Sequence, residues 1–306
     1  MTSTHLAVDA RGLGRRFGDT VAVDALDLQV RRGEVLGFLG PNGAGKTTTI
    51  RLLAGLVAPT AGAATVVGHD VVGAPAEVRR RVGILTETPG LYERLDVHQN
   101  LLLFARLYGV PDPRRAVQVW LERVGLWDRR DAAAGSLSKG MRQKVALCRA
   151  LLHDPELVFL DEPTSALDPE ASGMVRELVA DLRTQGRTVF LTTHHLEEAD
   201  RLCDRIAVFR TRLRVLDTAA NLRERLFGRQ LTVTVRGAGD AHEALLRGVP
   251  GVIELARDGD RLLMRVDDPD VVAPRVVRVL VGADADVLRI SEVRQPLERV
   301  YLELLA

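Results

Sequence analysis

Gly40-Pro41-Asn42-Gly43-Ala44-Gly45-Lys46-Thr47 is the run on which the reading of this chain turns. It has the form G-x-x-x-x-G-K-[ST]. It follows the apolar stretch EVLGFL (34–39) and opens a helical pattern from 47 to about 57. Glycines in such a loop let backbone N–H groups turn inward around phosphates, and the helix start adds a partial positive charge. Lys46 is placed to reach the terminal phosphates and the Thr47 hydroxyl to be a ligand for Mg²⁺, with Thr48 completing the contact run. Lysine occurs elsewhere only at Lys139 and Lys144, so its retention in this loop is informative.

Downstream, LVFL (157–160) is an apolar strand ending in Asp161-Glu162. In a parallel sheet the ligand crevice lies beyond the strand carboxyl ends, beside the phosphate loop. Asp161 therefore suits Mg²⁺ through its water shell, and Glu162 suits proton acceptance from a water attacking a γ-phosphate.

Outward from these two motifs the pattern alternates. Short strands occupy 5–39, a mostly helical segment spans about 91–152, and strands TVFLTT (188–193) and RIAVFR (205–210) alternate with helices. That order implies an α/β core with a parallel sheet, an N-terminal β subdomain and a helical insert. After about 221 the order becomes strand, helix, strand, strand, helix, strand and a last helix from Leu297. This is the βαββαβ, ferredoxin-like arrangement, with Asp258-Gly259-Asp260 supplying its central hairpin turn. Two domains are expected, 1–221 and 222–306.

The bulk numbers exclude several classes. Forty-two basic residues against 41 acidic ones give a formal charge of +1, so no nucleic-acid partner is expected. Arg79-Arg80-Arg81 and the paired arginines read as solvated surface. Cys148 and Cys203 offer no disulfide framework or C-x-x-C pair. No stretch has the roughly 18 uncharged apolar residues that a spanning helix needs, and the N-terminus has no signal-peptide core. A cytoplasmic protein is expected, peripheral on the inner face of the cell membrane through a partner.

Leu137-Ser138-Lys139-Gly140-Met141 resembles the LSGGQ signature of ATP-binding-cassette ATPases. The other motifs agree in order over about 5–218. Phe17 looks like the aromatic that stacks on adenine, Ser165-Ala166-Leu167-Asp168 resembles the D-loop, and Thr192-Thr193-His194 the switch-histidine strand end. The resemblance implies ATP and Mg²⁺ as cofactors and a P-loop NTPase core. It also implies a head-to-tail homodimer in which Ser138 and the Gly140 N–H face the nucleotide of the other copy. Asp168 would link the two sites, His194 would hold the γ-phosphate, and a separate transmembrane permease would choose the cargo.

The chain departs from the family pattern at two places. Lys139 and Met141 replace a glycine and a glutamine of the signature, and Glu87 ends the strand GILTE where the family usually has glutamine. Glu87 is read as a working substitute, a third carboxylate near Mg²⁺ and the attacking water. The single cassette, the βαββαβ tail and its ending PLERVYLEL (296–304) resemble multidrug and antibiotic-resistance exporters of the ABC-2 type. The alternatives are an importer ATPase with a ligand-sensing tail and a soluble cassette ATPase acting on ribosomes or DNA.

Overall fold

The computed structural model describes residues 5–165 and 167–305, so Ala166 of the D-loop run lies outside the described residues. The chain divides into two compact units, Met1–Leu216 and Asp217–Ala306. The first opens with β1 (Leu6–Phe17), β2 (Thr20–Arg31), β3 (Val35–Leu39), α1 (Lys46–Leu53), β4 (Ala61–Val66) and β5 (His69–Asp70). It continues with α2 (Pro75–Arg81), β6 (Val82–Leu85), α3 (Val97–Leu107), α4 (Pro113–Arg123), α5 (Lys139–Leu151) and β7 (Leu157–Asp161). It closes with α6 (Pro169–Thr184), β8 (Thr188–Thr193), α7 (Leu196–Leu202), β9 (Arg205–Arg210) and β10 (Arg212–Asp217).

Two sheets build this unit. One is four-stranded and antiparallel, in the order β2-β1-β4-β5. The other is six-stranded, in the order β10-β9-β3-β8-β7-β6, with parallel pairing from β9 through β6. Its central strands are apolar on both faces, as a covered parallel sheet requires. Leu36, Phe38, Phe159 and Phe190 pack with α1 and the antiparallel sheet. Val35, Val158, Leu160, Val189 and Leu191 pack on the other side with α5 and α6.

The helical insert has its own core, in which Val97, Leu101 and Ala105 of α3 meet Val117 and Leu121 of α4 and Val145 and Cys148 of α5. Burial pushes the Cys148 thiol up to about 12, so at neutral pH it is a packed, unreactive group. Trp120 packs against both this core and the α5–α6 side of the sheet. Asn100, fully buried, accepts from Tyr92 N at 2.9 Å and donates to Tyr92 O at 3.0 Å, tying the entry loop down onto α3.

Helix α2 and strand β10 have no counterpart in the sequence reading. Only Val78 of α2 is buried, so no apolar period announces a helix. Its arginines are not simply solvated either: Arg79 donates to Gly55 O at 2.8 Å and Arg81 pairs with Glu77 at 2.6 Å.

The second unit comprises α8 (Ala219–Phe227), β11 (Arg229–Val235), α9 (Asp240–Arg247), β12 (Val252–Asp258), β13 (Arg261–Val266), α10 (Pro269–Gly282), β14 (Val287–Glu292) and α11 (Leu297–Leu305). Its sheet is antiparallel, in the order β12-β13-β11-β14, the βαββαβ topology expected. The division falls ahead of the expected 221/222 position because α8 packs against α11 and β11. Among the described residues no helix is long and apolar enough to cross a membrane.

Candidate functional site

The site is assembled where β3, β7 and β8 end together. Residues 40–45 join β3 to α1, and Gly45 caps the helix with φ of 101°, a left-handed conformation that a side chain resists. A Cβ there would lie 2.1 Å from Ala22 O, and one on Gly40 would lie 2.3 Å from Phe209 O. These positions are therefore closed to any side chain. Thr211 N donates to Ala44 O at 2.9 Å, which anchors the loop from its outer side.

Lys46 and Thr47, the first residues of α1, point in opposite chemical directions. Lys46 Nζ, almost buried, donates to Gly40 O at 2.7 Å and Pro41 O at 3.3 Å. The Thr47 hydroxyl donates to Asp161 Oδ2 at 2.7 Å. Asp161 is the last residue of β7 and is 1% exposed, so its charge depends on such donors. The Thr192 hydroxyl, on the neighbouring strand β8, supplies another to Asp161 Oδ1 at 2.6 Å.

Glu162 leaves the strand with φ of 51°, rare for a residue other than glycine. Its Oε2 accepts from His194 Nδ1 at 2.8 Å and from His194 N at 3.3 Å. Its Oε1 lies 3.5 Å from Lys46 Nζ, close enough for charge attraction, yet it is buried without a hydrogen-bond donor. An oxygen so placed is free to accept a proton from an incoming water. The inward-closed loop, the lysine, the hydroxyl–carboxylate pair and this open oxygen together fit a nucleoside triphosphate with Mg²⁺.

Residues 23–165 match the family described as ABC transporter. The chain is 41% identical, over 99% of its length and 96% of the relative's, to the daunorubicin resistance ATP-binding protein DrrA3 of Streptomyces coeruleorubidus. The chain belongs to the ABC transporter family. It is an ABC-type ATPase. It is also similar to the Nod factor export ATP-binding protein I of Rhizobium sp. (strain N33), at 36% identity over 98% of this chain and 97% of that one. A solved ATP-binding subunit of an ABC transporter superposes with a TM-score of 0.68 and 31% identity, covering 72% of this chain and 94% of that one.

The remaining predicted site residues of this ABC ATPase stand at the ends of other elements. Phe17 ends β1 with an exposed ring under the Arg15 guanidinium, 4.5 Å from its centroid. Ser138 caps α5, accepting from Met141 N at 3.2 Å, and Lys139 beside it is exposed. Asp168 caps α6, accepting from Ala171 N at 2.8 Å. Ser138, Gly140 and Asp168 have no hydrogen bond to Lys46, Asp161 or Glu162, so this chain alone does not join them to the phosphate loop. Glu87 lies beyond the end of β6, exposed, with no hydrogen bond or ion pair to Asp161, Glu162 or Thr47. His195 is exposed, its ring 4.2 Å from that of His194.

Thr192 is the residue that sequence reasoning left without a role, although it stands in a quoted run. Its signal is a hydroxyl on a strand that is otherwise apolar through Val189, Phe190 and Leu191.

Gly45→Ala tests the loop directly. The substitution must move the loop off Ala22 O, and ATP affinity should fall by at least about tenfold. Equilibrium titration with a fluorescent nucleotide measures this, and a wild-type affinity would contradict the geometry.

Proposed function

We propose that this chain is the ATP-binding and ATP-hydrolysing subunit of a multidrug- or antibiotic-type exporter, acting with a separate transmembrane permease at the inner face of the cell membrane. The supporting observation is the convergence of Lys46, Thr47, Asp161, Glu162 and His194 in a chain whose likeness to resistance and export ATP-binding proteins runs through both units. The βαββαβ tail is part of that likeness, which favours this reading over a ribosome- or DNA-directed cassette.

In this reading residues 40–48 cradle the phosphates of ATP and the Phe17 ring stacks on its base. Thr47 and Asp161 would hold Mg²⁺, hard oxygen donors that leave most of an octahedral shell to phosphate and water. When bound, the ion offsets charge on the β- and γ-phosphates. Lys46, which lies against two carbonyl oxygens of its own loop, exchanges them for phosphate oxygens. Glu162 Oε1 accepts the proton of the attacking water. His194, held through Nδ1 by Glu162 Oε2, keeps Nε2 available for the γ-phosphate.

Ser138 and the N–H of Gly140 form an anion site at the start of α5, completed against the nucleotide of a second copy, and Asp168 joins the two sites. The exposed apolar side chains Tyr92, Leu103 and Leu107 in and before α3 offer a permease helix an apolar seat. Glu87 serves in place of the family's glutamine. Glu87→Gln should then keep ATPase turnover within roughly tenfold. An equally large loss in Glu87→Gln and Glu87→Ala would contradict that role.

The assignment as a whole is tested by tagging Glu162→Gln and purifying it from detergent-solubilised membranes with MgATP. A stoichiometric polytopic membrane protein is expected to co-purify. Recovery with ribosomes or nucleic acid and no membrane protein would overturn the exporter reading.

A further inference from the structure

Thr192 occupies a place where a hydroxyl is costly. It is fully buried near the end of β8, on the rung between Phe38 of β3 and Asp161 of β7. Two residues earlier on the same strand Phe190 packs against Phe38 and Phe159, with ring centroids 5.1 and 5.5 Å away. A valine would fill this position with the same shape and no polar atom. A buried hydroxyl is tolerated only where both its donor and its acceptor are used.

Both are used here, and on the acidic pair. The hydroxyl proton goes to Asp161 Oδ1 at 2.6 Å, a short contact of the kind a carboxylate makes. Its lone pair accepts from Glu162 N at 3.1 Å, and the same N–H reaches Thr192 O at 3.1 Å. Both acceptors of the Glu162 amide therefore belong to one residue, at the point where Glu162 adopts its positive φ. With Thr47 on Oδ2, Asp161 is clamped between two hydroxyls and cannot rotate without breaking one of them.

We propose that Thr192 is a positioning residue of the ATPase site: its buried hydroxyl holds the Asp161 carboxylate and the Glu162 backbone together in the orientation that MgATP requires. The inference rests on the ATPase reading above and adds a residue to it. Without the hydroxyl, Asp161 Oδ1 loses its donor in a nearly water-free place, and the carboxylate is free to turn from Thr47. The Thr192 side chain bonds to Asp161 and Glu162 and makes no hydrogen bond to the phosphate loop. The damage therefore falls on the Mg²⁺-dependent part of nucleotide binding and on turnover, and spares the affinity for ATP alone.

The experiment compares wild type, Thr192→Val and Thr192→Ser by equilibrium dialysis of labelled ATP, once in EDTA and once in Mg²⁺, alongside kcat and KM. Thr192→Val should lose at least tenfold of the Mg²⁺-dependent gain in ATP affinity and at least tenfold in kcat. Its affinity in EDTA should stay within twofold of wild type. Thr192→Ser, which keeps the hydroxyl, should recover both to within about threefold. The proposal is overturned by a valine variant with the wild-type Mg²⁺ gain and kcat. It is overturned equally if affinity in EDTA falls as far as affinity in Mg²⁺, or if serine fails as badly as valine. A wild-type chain without Mg²⁺-dependent turnover would instead sink the ATPase reading beneath it.

Discussion

Adjacent carboxylates at the buried end of one strand are the constraint around which this structure is arranged. Asp161 and Glu162 are both nearly excluded from solvent, and each requires compensation that water cannot supply. The compensation comes from three directions. Lys46 and Thr47 reach in from the start of α1, Thr192 from β8, and His194 from just beyond it. In the function proposed above, each of these groups also acts on a bound nucleotide or on the residues that contact it. The same atoms would then meet the electrostatic need of the buried pair and the chemistry of nucleotide hydrolysis.

The sheet order makes this convergence possible. β8 lies between β3, which feeds the phosphate loop, and β7, which ends in the acidic pair. Helix α1, which follows β3, crosses to β7 and places Thr47 against Asp161 at its end. Apolar packing on both faces of the sheet holds the strand ends in register to the width of a hydrogen bond. The signature helix α5 belongs to two cores at once. Ala146, Leu147 and Ala150 pack on the sheet, and Val145 and Cys148 pack into the helical insert. Ser138 caps this shared helix.

Much of this was legible in the residues because the motifs combine a period with chemistry that has few other uses. Residues 40–47 announce a strand, a loop closed to side chains and a helix, and the structure supplies each in turn. The run 157–162 likewise reads as a buried strand with a charged end. The βαββαβ unit was legible from its alternation and from the turn at Gly259, whose φ of 56° joins β12 to β13. What stayed hidden lacked a local signal. Helix α2 buries one side chain, and β10 carries no continuous apolar run. Thr192 could not be singled out because its importance lies in a cross-strand pairing with Asp161, and pairing partners 31 positions apart leave no trace in local spacing. Glu87 is the reverse case: its position in a motif suggested a contact with the acidic pair, and its exposed side chain has no bond to them.

One chain holds the phosphate loop and the acidic pair in one place and the capped starts of α5 and α6 in others, unbonded to it. In the proposed head-to-tail dimer each site requires the starts of α5 and α6 from a second copy. Analytical ultracentrifugation of Glu162→Gln with MgATP tests that requirement most directly. The expected result is a dimer retaining two ATP molecules, which reverts to monomer when nucleotide is removed. A monomer that binds one ATP tightly at every protein concentration would contradict it.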